Sequence, residues 1–186
     1  RARAEQERVE VRQHGGHVLA RADQVSPRSD AGGGQPALER PIRLLSAIAD
    51  PRNLEDYGLA PIDVTAERQA LTEALAEVEP SRLEVTFLEP PVTLAALDRE
   101  LKKGYHLLHV VAHGVRPEGE SAALFLADDE RQVAEVTEDQ LAEMFGRQGA
   151  SLRLVYLSSC QSAARSPADA FRGIAPSLIE AGVPAV

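Results

Sequence analysis

Apolar runs of strand length alternate with segments of helical periodicity along most of this chain. The clearest runs are IRLLSAIA at 42–49, RLEVTFL at 82–88, YHLLHVVA at 105–112 and LRLVYL at 152–157. Near-continuous apolar runs of this length are typical of strands buried on both faces, as in parallel sheets. Their alternation with helical segments predicts an α/β fold, with a mostly parallel sheet and helices on both faces.

The segments between these runs predict the helices and one hairpin. Apolar residues at helical spacing predict four helices, at 63–78, 93–103, 137–145 and 168–181. Thr93 and Thr137 stand where N-caps are expected. Two short apolar stretches, 122–126 and 132–136, flank a charged turn and predict a hairpin. Residues 183–186 are predicted to begin a further strand.

Charge and cysteine content exclude several classes of protein. The 186 residues carry 29 acidic and 20 basic side chains, a formal net charge of −9, which disfavours non-specific binding to nucleic acid or anionic lipid. No apolar run approaches the roughly 20 residues that a membrane span needs. The single cysteine, Cys160, excludes an intrachain disulfide and a multi-thiolate zinc site. We therefore expect a cytoplasmic protein with neither nucleic acid nor membrane as a direct partner.

The first 40 residues differ in composition from the rest of the chain. Residues 26–36, SPRSDAGGGQP, are polar and rich in glycine, so they bury too little apolar surface to offset the entropy of ordering them. We interpret residues 1–40 as an N-terminal extension and linker, and residues 41–186 as the folded domain.

Two reactive side chains follow predicted strands. His113 follows the run at 105–112, and Cys160 lies just beyond the run at 152–157, within SSCQS. Open α/β sheets gather their chemistry beyond the carboxyl ends of strands, so neighbouring strands would bring the two residues to one edge. A nearby imidazole promotes the nucleophilic thiolate and later protonates a leaving amine. The backbone N–H groups of Gly114 and Cys160 are candidate donors to an oxyanion.

The spacing alone leaves other interpretations open. A lone cysteine is commonly a small buried apolar residue, and a histidine after an apolar run is commonly structural. His106 and His109 lie within the third run, and we interpret both as packed or hydrogen-bonded sheet histidines. A metal site that used His109 and His113 would need a further ligand on the same face.

The two motifs together resemble the CHAT domain, a family of caspase-like cysteine peptidases often found with tetratricopeptide repeats. His113-Gly114 after one apolar strand and SSCQS at 158–162 after another carry the likeness, and 121–128 and AGVPAV at 181–186 fit the same layout. The likeness covers about residues 41–186. It implies a three-layer caspase-haemoglobinase-like fold that is incomplete at the C-terminus, with further strands after Val186 walling the substrate groove.

The resemblance also implies a mechanism and a partner. His113 and Cys160 would form the catalytic dyad, with the Gly114 and Cys160 amides near the oxyanion, a protein or peptide substrate, and no metal or organic cofactor. The loop after the first strand, together with the residue that opens SSCQS, would line the substrate pocket, with Asp50, Asp56 and Ser158 as candidates. Acidic groups there would favour Arg or Lys in the substrate, although the sequence fits solvated turn acids better.

Three functions follow from these observations. The first is a cysteine endopeptidase domain of a larger bacterial signalling or defence protein, with a fused or associated repeat or sensor domain. The second is a catalytically silent caspase-like interaction module. The third is an unrelated nucleotide- or metabolite-binding domain, which is disfavoured because Gly32-Gly33-Gly34 precedes the first strand instead of following one.

Overall fold

A computed structural model describes residues 41–116, 121–148, 151–158 and 167–186. The N-terminal extension predicted for 1–40 and the candidate nucleophile Cys160 lie outside these residues. The described chain contains seven strands, which are β1 Ile42–Ile48, β2 Leu83–Phe87, β3 Leu107–Val111, β4 His113–Val115, β5 Ala123–Ala127, β6 Val133–Thr137 and β7 Leu154–Ser158. The helices are α1 Val64–Ala74, α2 Leu94–Leu101, α3 Glu138–Gly146 and α4 Pro167–Glu180, and a short 3-10 helix spans Leu54–Tyr57.

The four predicted apolar runs form one parallel sheet in the order β2-β1-β3-β7. The prediction that the third and fourth runs are neighbours is confirmed, since Val111 pairs with Ser158 across β3 and β7. Parallel strands require crossovers, and helical segments supply them at α1, α2 and α3.

A second, antiparallel sheet has the order β4-β5-β6. Strands β5 and β6 are the predicted hairpin. His113 and Gly114 follow the end of β3, as predicted, and they form a further short strand, β4, in which they pair with Phe125 and Leu124 of β5. The chain leaves the parallel sheet after Ala112, and the free edge of the hairpin then satisfies its backbone groups.

Helices cover both faces of the parallel sheet, as the sequence predicted. On one face, Leu45 and Val110 join the larger apolar core, together with buried side chains of α2, α3 and α4. On the other face, Ile48 and Val111 form a smaller cluster, against which Val64 of α1 packs. The two faces are therefore covered unequally, with most of the buried apolar surface on the side of α2, α3 and α4.

Most predicted helix boundaries agree with the structure, and two segments differ. Helix α1 ends at Ala74 instead of continuing to Val78. The residues that follow form tighter turns with hydrogen bonds between residues three apart, such as that from the Val78 N–H to the Leu75 carbonyl at 2.9 Å. Residues 183–186 form no strand; Val155 N–H donates to Ala185 O at 3.0 Å, and Pro184 has no N–H to extend a ladder. Within the four described stretches, no helix has the length and apolar character needed to cross a membrane.

Candidate active site

The carboxyl ends of β3 and β7 lie side by side. The Ala112 N–H donates to the Ser158 carbonyl at 3.1 Å, one step beyond the last paired residues of the two strands. His113 is the next residue on one side, and Cys160 is the second residue after Ser158 on the other. The topology thus brings the ends of β3 and β7 to one edge of the sheet. The placement of Cys160 there, and its contact with the His113 imidazole, remain predictions because Cys160 is not among the described residues.

The imidazole of His113 is buried and held in one orientation. Only 2% of the residue is exposed, and Nε2 lies 2.8 Å from the carbonyl oxygen of Ala60. A carbonyl oxygen accepts hydrogen bonds and cannot donate, so Nε2 carries the proton and the neutral ring has its lone pair on Nδ1. The buried Nδ1 has no hydrogen-bond partner among the described residues. Buried polar atoms are nearly always paired, so an unpaired ring nitrogen at a strand end fits a reacting base.

The Ala60 carbonyl comes from the loop that follows β1. The Asp50 carboxylate accepts the Ile62 N–H at 3.3 Å across the neck of this loop. Near the middle of the loop, Gly58 is the C-cap of the 3-10 helix, and its φ of 69° favours glycine. Sequence reasoning missed the Ala60 contact because it uses a main-chain oxygen, which leaves no side-chain signal at that position.

The three predicted pocket residues occupy different surroundings. Asp50 is half-buried at the loop neck, Asp56 is exposed on the 3-10 helix, and Ser158 is 5% exposed at the end of β7. Their role in binding a substrate remains a prediction. The Asp50 bond to Ile62 gives that carboxylate a structural task in addition to any role in binding.

Gly114 lies inside β4, directly opposite Leu124. It is half-buried, and it is the residue after the oriented histidine. A glycine there presents its backbone without a side chain above it, as close approach of a substrate carbonyl would require. The predicted donation from its N–H to an oxyanion remains a prediction.

The other two histidines of this region have structural partners. His106, one residue before β3, accepts the Arg43 N–H on Nδ1 at 2.9 Å. The Nδ1 of His109 lies 3.2 Å from Ser46 Oγ, and its ring stacks on Tyr156 with 5.3 Å between centroids. Burial raises the pKa of Tyr156, which keeps its phenol protonated at neutral pH. Both histidines are therefore hydrogen-bonded at the sheet, as predicted.

Comparison with known proteins identifies the family. The CHAT domain profile matches residues 7–186, which is nearly the whole chain. No curated protein matches the chain. A crystal structure of the protein GSU0716 from Geobacter sulfurreducens is similar over 62% of this chain and 48% of that one, with 20% identity and a TM-score of 0.41. This chain thus spans about half of that protein. On the strength of the profile match, the chain belongs to the CHAT domain family.

Proposed function

We propose that this domain is a caspase-like cysteine endopeptidase domain in which His113 and Cys160 act as a dyad on a protein or peptide substrate. Membership in a caspase-like, peptidase-related family supports the reaction class. The order of strands supports the placement, because β3 and β7 are neighbours and each is followed within two residues by one of the two groups.

The observation that carries the proposal is the state of the His113 ring. The bond from Nε2 to Ala60 fixes the tautomer and leaves Nδ1 as a buried base without a partner among the residues described. A structural histidine would be expected to use both ring nitrogens, as buried groups normally do.

The proposed reaction balances with these two side chains and water. The Cys160 thiol gives its proton to His113 Nδ1, and the thiolate adds to the substrate carbonyl carbon. The peptide C–N bond breaks as Nδ1–H protonates the leaving amine, which leaves a thioester. A water molecule, deprotonated by Nδ1, attacks the thioester carbonyl carbon. The C–S bond breaks, the carboxylic acid product leaves, and the proton on Nδ1 returns to the sulfur to restore the thiol. Donation from the Gly114 and Cys160 N–H groups would stabilise the oxyanion in both halves.

The proposal is tested by labelling Cys160 with a peptidyl acyloxymethylketone in the full-length protein that contains this domain. We expect covalent labelling of Cys160, and a reduction of about 10²- to 10⁴-fold in the labelling rate for His113→Ala, because the base is lost. Cleavage of a protein substrate by the same samples should fall in parallel.

His106→Asn is the matched control. His106 lies at the opposite end of β3, and its side chain accepts the Arg43 N–H, so loss of the imidazole should leave the labelling rate within a few-fold of wild type. Labelling that is unchanged by His113→Ala would mean an accessible cysteine without a dyad, which would overturn the proposal and favour the silent interaction module.

A further inference from the structure

Two adjacent residues, Arg52 and Asn53, hydrogen-bond the loop that carries Ala60 to the β5–β6 hairpin. The Arg52 N–H donates to the Arg131 carbonyl at 2.8 Å. The Asn53 side-chain oxygen accepts the Val133 N–H at 2.7 Å, across 80 residues of sequence. Asn53 stands at the N-cap of the 3-10 helix but makes no side-chain capping bond there. An asparagine at an N-cap usually accepts a hydrogen bond from the backbone of its own helix. Here the Asn53 side chain bonds the hairpin instead.

The hairpin offers a well-defined anchor for these bonds. The Asp128 carboxylate accepts the N–H groups of Glu130 and Gln132 at 2.9 and 2.7 Å. These bonds hold Arg131 in the left-handed region, with a φ of 65°, which is uncommon for a residue with a side chain. The carbonyl of Arg131 and the N–H of Val133 are thereby presented together toward the loop.

The same loop contacts the strand that faces His113. Tyr57 packs edge-on against Phe125, with 5.0 Å between ring centroids, and Phe125 is the direct partner of His113 across β4 and β5. Three residues after Tyr57, the Ala60 carbonyl accepts the Nε2 proton. The loop therefore bridges from the hairpin, over Phe125, to the catalytic candidate.

We propose that Asn53 is a positioning residue for His113, acting through the loop whose Ala60 carbonyl fixes the imidazole. The inference rests on the proposed function for its role in catalysis, although the effect on the ring is independent of it. Arg52 contributes a main-chain N–H, which only proline would remove at the cost of a changed backbone, so the Asn53 amide is the contact that can be varied cleanly.

Exchange of the His113 Nε2 proton with water tests the inference in the ¹⁵N-labelled chain. When the loop opens, the bond to Ala60 breaks and this proton exchanges, so the rate reports how often the loop is open. For Asn53→Ala we expect exchange about fivefold faster, the usual effect of losing one hydrogen bond on an equilibrium. Asn53→Asp keeps an oxygen acceptor for Val133 and should restore a rate within about twofold of wild type. Backbone amides of α3 should keep their exchange rates in all variants, which separates loop opening from general destabilisation.

Glu130→Ala is the control on the same hairpin, since the exposed Glu130 side chain makes none of the described bonds and only its main chain does. Equal exchange in Asn53→Ala and wild type, or equally fast exchange in Asn53→Ala and Asn53→Asp, would overturn the inference. Failure of the labelling experiment on Cys160 would instead refute the peptidase proposal and leave the exchange result standing, so the two failures are distinguishable.

Discussion

At the scale of single residues, Gly173 allows α4 to approach the antiparallel sheet closely. A Cβ at this position would lie 2.7 Å from the Cβ of Ala122 and 3.4 Å from a guanidinium nitrogen of Arg116. Ala122 is fully buried, so it has no room to move without displacing the core. Gly173→Ala should therefore lower the free energy of unfolding by about 1–3 kcal/mol, measured by urea denaturation, despite the better helix propensity of alanine.

Gly146→Ala is the matched control for that substitution. Gly146 ends α3, and an added Cβ would meet its nearest neighbour, the Ala181 carbonyl oxygen, at 3.9 Å, which is ordinary contact. This variant should be neutral or more stable by up to about 1 kcal/mol. If Gly173→Ala were as stable as Gly146→Ala, the close approach of α4 to the sheet would be wrong.

At the scale of elements, the N-cap of α2 is buried whereas that of α3 is exposed. The Thr93 hydroxyl accepts the Ala96 N–H at 3.0 Å in a buried setting. In α3, Thr137 accepts the Gln140 N–H at 3.4 Å in an exposed setting. Thr93→Ala would leave a buried N–H without a partner, so we expect a loss of about 1–2 kcal/mol in unfolding free energy by urea denaturation.

Two further variants check the interpretation of this cap. Thr93→Ser keeps the hydroxyl and should recover most of the stability lost in Thr93→Ala. Thr137→Ala should cost less than Thr93→Ala, because water replaces the lost oxygen at the exposed cap. An equal cost at both threonines would show that burial of the cap has no influence.

Elements that follow from a local sequence pattern were predictable, and elements whose position depends on residues far away in the sequence were not. The strand from Ile42 and the caps at Thr93 and Thr137 follow from local patterns, and the structure has them where the sequence placed them. Strand β4 has three residues and no pattern of its own, and the free edge of the hairpin induces it. Similarly, α1 ends early because tight turns after Ala74 replace the helix, although the apolar spacing continues.

At the scale of the whole molecule, the sequence predicted that His113 lies at the edge where β3 and β7 end, but not the contacts that orient its ring. His113 could be predicted because parallel strands carry reactive groups to one edge of a sheet. The carbonyl of Ala60 and the amide of Asn53 could not, since their partners lie 53 and 80 residues away and the contacts use main-chain groups. Which loop covers which strand is a property of the assembled sheets, and no local pattern encodes it.

The unequal covering of the parallel sheet also predicts where the molecule opens most easily. Helix α1 has no buried residue. Its Val64 packs against the small cluster of Ile48, Ile62 and Val111, as does Phe87 of β2. The Arg68 guanidinium of α1 lies 4.9 Å from the Phe87 ring centroid. Helix α2, in contrast, buries Leu97 and Leu101 in the larger core. Burying one leucine contributes about 1.5–3 kcal/mol, so local opening of α1 requires less free energy than opening of α2.

Hydrogen exchange with mass spectrometry tests this difference in the full chain. After correction for intrinsic rates, the amides of α1 should exchange at least ~10-fold faster than those of α2. Helix α1 directly follows the loop that carries Ala60, so frequent opening of α1 would affect the end of the loop nearest the contact that orients His113. The bond between Asn53 and Val133 holds the other end of that loop. Equal protection of α1 and α2 would mean that the half-buried stripe of α1 is held as firmly as the core, and that its low burial does not govern local stability.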